Sequence, residues 1–141
     1  MILLDTNVVS EPLKLNSDMS VLTWIDAQII ETLYLSTISL AELRFGIAAL
    51  APGKRRDTLH TSLEQRILPL FVGRILPFDA AASEAYAELR ARARIQGKAI
   101  APADGYIAAT AAAHGLIVAT RDIGPFEAAG LTVINPWNTK H

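Results

Sequence analysis

The sequence predicts an α/β fold with a mostly parallel sheet covered on both faces, and three features predict it. Short apolar runs alternate with longer segments of helical spacing, and a parallel connection needs a crossover long enough to be a helix. The apolar runs are near-continuous, which suits strands buried from both sides. The 141 residues, 51% of them hydrophobic, are ample for one packed core, so a single domain over residues 1–141 is expected.

Taken in order, Ile2 to Leu4 is the first strand, followed by Leu33 to Leu35, Ile75 to Phe78, Ile117 to Ala119 and Leu131 to Ile134. Each is closed by polar or turn residues. The first helical stripe is Val21, Trp24, Ile25 and Ala27 to Ile29. A second is Leu40, Leu43, Ile47 and Leu50, and a third is Leu59, Leu63, Ile67 and Leu70. The fourth carries Ala82, Tyr86, Leu89 and Ala93. The fifth is the alanine-rich YIAATAAAHG, where Gly115 marks the end of a helix. The stretch APGKRRD, Ala51 to Asp57, reads as a loop between two helices, and the closing NTKH reads as a frayed tail.

The net charge of −1 gives no global pull toward nucleic acid, so any basic surface is local. With no cysteine, a disulfide scaffold, a thiolate nucleophile and a cysteine-based metal site are excluded, and a reducing cytosol fits. Met1 leads directly into ILLD, and no stretch approaches a membrane span. A soluble cytoplasmic protein is expected.

The chemistry lies in the acids. Ligands of an open parallel sheet sit outside the carboxyl ends of its strands. Asp5 directly follows ILL, Glu42 lies in the first turn after LYLS, and Asp122 follows LIVATR. Asp104 lies near the start of a helix that opens on the same edge if the crossovers are right-handed. Four carboxylates on one rim raise one another's pKa and need positive charge. All-oxygen donors without cysteine or clustered histidine point to Mg²⁺ or Mn²⁺, which polarises phosphodiesters and activates water.

Each acid also has a bland role. Ser39 to Glu42 spells a capping box. Asp104 after Pro102 suits the first turn of a helix, and Asp122 before Ile123-Gly124-Pro125 suits a turn. Asp5 has no such role, because nothing about a turn requires DTN after a core strand. Jointly, four bland roles that all fall on one rim are less economical than a single site.

ILLDTNVVSEP, STISLAELRFGI, ILPFD, APADGYIAATAAAHGLIVATRD and GLTVINPW together resemble PIN-domain proteins of the VapC/FitB type, the toxin half of bacterial type II toxin–antitoxin pairs. The resemblance covers nearly the whole chain in order and spacing. It implies an α/β/α sandwich, a Mg²⁺-dependent endoribonuclease, a homodimer, and a small DNA-binding antitoxin, with a ribbon-helix-helix protein expected beside it. On matching positions, Asp5, Glu42, Asp104 and Asp122 become the acidic quartet. Asn7 and Thr120 become the neighbours that orient ligands or water. Pro102 departs from the small residue usual there but suits a helix start.

Lys54, Arg55 and Arg56 read as a basic loop, and Arg90, Arg94 and Lys98 recur along one helix face. Either could follow a phosphate backbone, or be a solvated surface in which Glu88 and Arg92 form a simple pair. Arg121 is a phosphate-contact candidate by its place beside Asp122. His60, His114 and His141 have no ligand spacing and are assigned helix-face or surface roles, and Ser10 reads as a cap or turn. Trp24 and Tyr86 read as core or dimer contacts.

Two further functions stay open: a non-catalytic subunit that strengthens antitoxin binding to operator DNA, and an aspartyl-phosphate enzyme. The second wants an acid two residues after Asp5, where Asn7 stands.

Overall fold

A computed structural model describes residues 1–138. Thr139 to His141, and with them most of the predicted tail and the surface role of His141, lie outside the described residues. Five strands, β1 (Ile2–Leu4), β2 (Leu33–Ser36), β3 (Ile75–Leu76), β4 (Ile117–Ala119) and β5 (Val133–Ile134), form one sheet in the order β3-β2-β1-β4-β5. Every strand pairing is parallel, with Leu3 opposite both Tyr34 and Val118.

Seven α-helices, α1 (Thr6–Ser10), α2 (Met19–Asp26), α3 (Thr37–Ala48), α4 (Lys54–Thr61), α5 (Ala80–Ile95), α6 (Pro102–Ala113) and α7 (Ile123–Ala128), cover its two faces. Strand alternation divides the core between them. Ile2 and Leu4 of β1 face Val8, Trp24, Leu43, Ile47 and Leu63 from α1 to α3 and the turn just after α4, whereas Leu3 faces Leu89, Ile107, Ala108 and Phe126 from α5 to α7. The result is the three-layer α/β/α sandwich. α6 ends as its sequence predicts: Gly115 has φ +64°, Leu116 N–H reaches the Ala111 carbonyl (2.9 Å) and Gly115 N–H reaches that of Ala112 (3.3 Å).

Beyond α1 and α7, which form where the sequence reading places no helix, the elements depart from that reading in four places. Lys54, Arg55, Arg56 and Asp57 are the first turn of α4 and not a loop, so the connection from α3 is shorter than predicted. The third apolar stripe is not one regular helix. Past α4 the chain widens into a π-helical turn (Ser62–Ile67) and tightens into a 3₁₀ turn at Leu68–Phe71. A widened turn adds a residue and rotates the side chains beyond it by about 100°. Leu70 is consequently 53% exposed and Phe71 takes the core position at 4%. The third departure is in the strands: β3 and β5 are shorter than the apolar runs that predict them. Pro77 has no N–H to continue β3, and Leu131 donates its N–H to the Phe126 carbonyl of α7 (3.1 Å). Similarly, α2 stops at Asp26 and leaves Ile29 69% exposed.

Phe78, released from β3, joins Tyr86 and Tyr106 in an aromatic cluster with centroids 4.8 to 6.0 Å apart. Gly105 makes this approach possible, because a Cβ there would lie 2.9 Å from Tyr86 Cε2. Gly105→Ala gains helix propensity of about 1 kcal/mol but overpacks a clamped ring, at about 1–3 kcal/mol. A net loss of stability of about 1 kcal/mol is expected in thermal melts. An unchanged or raised melting temperature would show that the ring yields freely.

Candidate active site

The chain leaves β1 in one direction to build β2 and β3, then returns to the other side of β1 for β4 and β5. The crevice beyond the carboxyl ends of β1 and β4 is therefore the topological switch point, where such sheets bind ligands. Asp5 is the first residue past β1 and Thr120 the first past β4. Asp5 N–H still donates to the Ala119 carbonyl (2.9 Å), so the ladder continues one step and carries the carboxylate into the crevice.

Asp5 is 5% exposed. Its Oδ1 accepts from Thr6 N–H (2.8 Å) and its Oδ2 from the Thr120 hydroxyl (2.8 Å). The same hydroxyl accepts from Asp122 N–H (3.0 Å), so Thr120 fixes both Asp5 and the turn that presents Asp122. No cation among the described residues pairs with Asp5. The contrast is Glu11, 3% exposed, which accepts from Asp18 N–H (3.0 Å) and pairs with Lys14 Nζ (3.0 Å). Burial pushes Asp5 up to about 6 from 3.8; the bonds from Thr120 and Thr6 oppose this, and the charges of Asp104 and Glu42 add to it.

Glu42 comes from the second turn of α3, one turn later than predicted. The capping-box role does not apply to it: α3 is capped by Ser36, whose hydroxyl accepts from Ser39 N–H (3.0 Å). Glu42 Oε1 accepts instead from the Thr6 hydroxyl (2.6 Å), which also lies 3.0 Å from Ser39 Oγ. A hydroxyl has one proton to give, so the order Ser39 to Thr6 to Glu42 satisfies all three groups. Sequence reasoning assigns Thr6 no role and gives Ser39 only that of a cap. The signal that could have found them is a hydroxyl beside each strand-end acid.

Asp104 lies in the first turn of α6, half-buried. Burial raises its pKa, and the charges of Asp122 and Glu42 raise it further. Asp122 occupies the cap position of α7, but its side chain caps nothing. The four predicted acids thus share one crevice, each within electrostatic reach of another, Asp5 and Glu42 from one helical layer's side and Asp104 and Asp122 from the other's. Among the flanking residues, Asn7 Oδ1 accepts from Arg121 N–H (3.4 Å) and ties α1 to the loop before α7. The Arg121 guanidinium lies over the Trp137 ring, 5.2 Å from its centroid.

The acids do not form a closed cage: among the described residues, no group of three or more Asp, Glu, His or Cys side chains is arranged to hold a metal ion. Hydrogen bonds hold Asp5 and Glu42 toward the two threonines, and like charges keep apart. An all-oxygen, open arrangement of this kind suits a small hard divalent ion, which keeps several waters and needs only one or two carboxylates in direct contact. The donor set is all oxygen, and the buried, cation-free Asp5 supplies the demand for charge.

The raised pKa gives stability a definite pH dependence. The folded chain holds the Asp5 proton more tightly than the unfolded chain, so stability falls as pH rises between 3.8 and about 6. At 1.36 kcal/mol per pH unit the loss is at most about 3 kcal/mol. Asp5→Asn keeps the shape and can keep both hydrogen bonds, because Thr120 Oγ is able to accept. In EDTA the variant and the wild type should melt alike near pH ~4, and the variant several degrees higher above pH ~7. A variant melting below wild type at the higher pH would contradict an uncompensated charge at this position.

Residues 2–131 match the PIN domain family. The VapC ribonuclease Y4jK of Sinorhizobium fredii is 63% identical over 137 residues, covering 97% of this chain and 98% of that protein. Toxin FitB of Neisseria gonorrhoeae is 57% identical over 138 residues, covering 98% of this chain and 99% of that protein. The solved structure of FitAB bound to the IR36 DNA fragment aligns with a TM-score of 0.96 at 55% identity, covering 100% of this chain and 99% of that one. Fold and near full-length similarity agree, and this chain belongs to the PIN-domain family, in the group of the VapC and FitB proteins.

Proposed function

We propose that this protein is a Mg²⁺- or Mn²⁺-dependent endoribonuclease and the toxin of a type II toxin–antitoxin pair. The observation that carries the reading is the buried Asp5 carboxylate, with no cationic partner among the described residues and with Asp104 and Glu42 adding to its charge. The relatives named ribonuclease and toxin support it, as does the likeness to a DNA-bound FitAB structure. From the resemblance in the sequence come a DNA-binding antitoxin partner of ribbon-helix-helix type and a cytoplasmic homodimer; the likeness to a DNA-bound FitAB complex supports the antitoxin partner. No helix among the described residues is long and apolar enough to cross a membrane.

In this reading Asp5, Glu42, Asp104 and Asp122 hold the ion and its hydration shell. When bound there, such an ion would supply charge neutralisation at the scissile phosphate and a lowered pKa for the attacking water. Thr6 and Thr120 orient Glu42 and Asp5 through their hydroxyl bonds, and Asn7 holds the loop that carries Asp122 in register. Water adds to phosphorus as the bond to the 3′-oxygen breaks, leaving 5′-phosphate and 3′-hydroxyl ends. Arg121, exposed beside Asp122, is available to contact phosphate once it leaves Trp137.

Purified, antitoxin-free protein is expected to cleave single-stranded RNA with Mg²⁺ or Mn²⁺ and to stop in EDTA. Asp5→Asn and Asp104→Asn should each reduce cleavage at least ~100-fold while remaining folded. Cleavage that survives both substitutions refutes the assignment. A stable antitoxin complex whose freed toxin cuts no RNA points instead to a non-catalytic subunit that strengthens operator binding. Thr6→Val should raise the Mg²⁺ concentration needed for half-maximal rate about 10- to 100-fold, as expected for a lost ligand-orienting bond, and Thr6→Ser should restore it. An unchanged Mg²⁺ requirement in Thr6→Val would remove Thr6 from the site.

A further inference from the structure

Beyond the acidic crevice, Arg90, Arg94, Lys98 and Tyr86 line a groove along the second half of α5 and the segment that leads into α6. The three cations are exposed. Among the described residues none of them is in an ion pair; the pairs formed are Lys14–Glu11 and Arg44–Glu64, on other elements. The predicted Glu88–Arg92 pair is likewise not among them, and Glu88 and Arg92 lie against the opposite side of α5, near Gly115 and Gly130.

Arg90 is held in place at the groove's inner end. Its Nη1 donates to the Tyr86 hydroxyl (2.7 Å) and its guanidinium lies 5.4 Å from the Tyr86 ring centroid. Tyr86 in turn stacks on Tyr106 (4.8 Å), two residues after Asp104. The Arg90 stem passes 3.7 Å from where a Cβ on Gly105 would stand, so the groove ends against the residue next to Asp104. Cations near a helix C-terminus complement the macrodipole, and Arg92 and Arg94 of the last turn do so equally. That role explains neither the clamping of Arg90 nor the opening of three unpaired cations on one groove.

We infer that this groove is a phosphate track, in which Arg90, Arg94 and Lys98 bind the backbone of single-stranded RNA on one side of the scissile bond and position it against Asp104. The inference rests on the ribonuclease reading above. Charge complementarity argues for it, because unpaired cations facing solvent match a polyanion, and Arg90 and Arg94 stand one helical turn apart, about 6 Å. Arg90 needs no reordering to bind, since Tyr86 has already fixed it.

The test is fluorescence anisotropy with a labelled single-stranded RNA of about 20 nucleotides. It is done in Mg²⁺ on full-length Asp5→Asn protein, which binds without cutting, over a series of salt concentrations. Adding Arg94→Gln and Lys98→Gln together should weaken binding about tenfold and flatten the slope of log K against log salt by about 1.4, at about 0.7 for each lost phosphate contact. In the cleavage-competent protein the same pair should raise KM far more than it lowers kcat. Arg92→Gln is the charge-matched control and should change the slope by much less. Unchanged affinity and slope, in a protein whose wild type cleaves RNA, overturns the track alone. A wild type that neither binds nor cleaves RNA overturns the ribonuclease reading and the track with it. A pair that alters oligomer mass in light scattering but not RNA binding makes the groove a protein interface and also overturns the proposal.

Discussion

Placing a carboxylate at 5% exposure where β1 meets β4 constrains everything around it. The cost of burying an unpaired anion is offset only in part by two hydrogen bonds, from Thr6 N–H and from the Thr120 hydroxyl. The first bond caps α1 and so fixes where that helix starts. The second joins the ends of two strands and, through Asp122 N–H, shapes the turn into α7. The cap of α1, the contact between two strand ends and the turn thus all involve the same group that leaves the crevice short of positive charge. An apolar residue at this position would give a more stable protein with no reason to attract a cation.

The two helical layers contribute unequally to the crevice. The side of α1 and α3 supplies groups wired by hydroxyls, with Thr6 between Ser39 and Glu42. The side of α6 and α7 supplies the half-buried Asp104 and the exposed Asp122, whose side chains are not held by any such relay among the described residues. One half of the crevice is therefore fixed by hydrogen bonds that the other half lacks among the described residues. The aromatic cluster of Phe78, Tyr86 and Tyr106 stiffens the start of α6 from outside.

Much of this is legible in the sequence because it is local. A strand followed at once by Asp5, a Pro102 opening a helix that bears Asp104, and Gly115 ending it are signals confined to a few residues. The convergence of four acids follows once the strands are parallel and the crossovers right-handed. The hidden part depends on rotation and on choice between equivalent groups. Ser36 and Ser39 could each cap α3, and only the exact end of β2 decides for Ser36, which frees Glu42 for Thr6. The π-helical turn after α4 shifts the register of Leu70 and Phe71, which no periodic pattern can announce. Likewise, spacing says that carboxylates share a rim but not how far apart their oxygens stand, so the openness of the arrangement is visible only in three dimensions.

The Asp5–Thr120 bond spans 115 residues of sequence. β1 lies at the centre of the sheet, yet one of its two neighbours is β4, which is made long after it. A nascent chain can pair β1 with β2 and cover one face, but it has neither Thr120 nor the turn bearing Asp122 until β4 has followed. Asp104 likewise arrives on a helix that finds Leu3 of β1 but lacks Val118 of β4, the other buried strand residue of its core, until that strand forms. On the ribonuclease reading, a protein that attacks RNA therefore lacks its complete site until β4 and the turn beyond it have emerged and joined β1. The delay is a property of topology, obtained without an inhibitor.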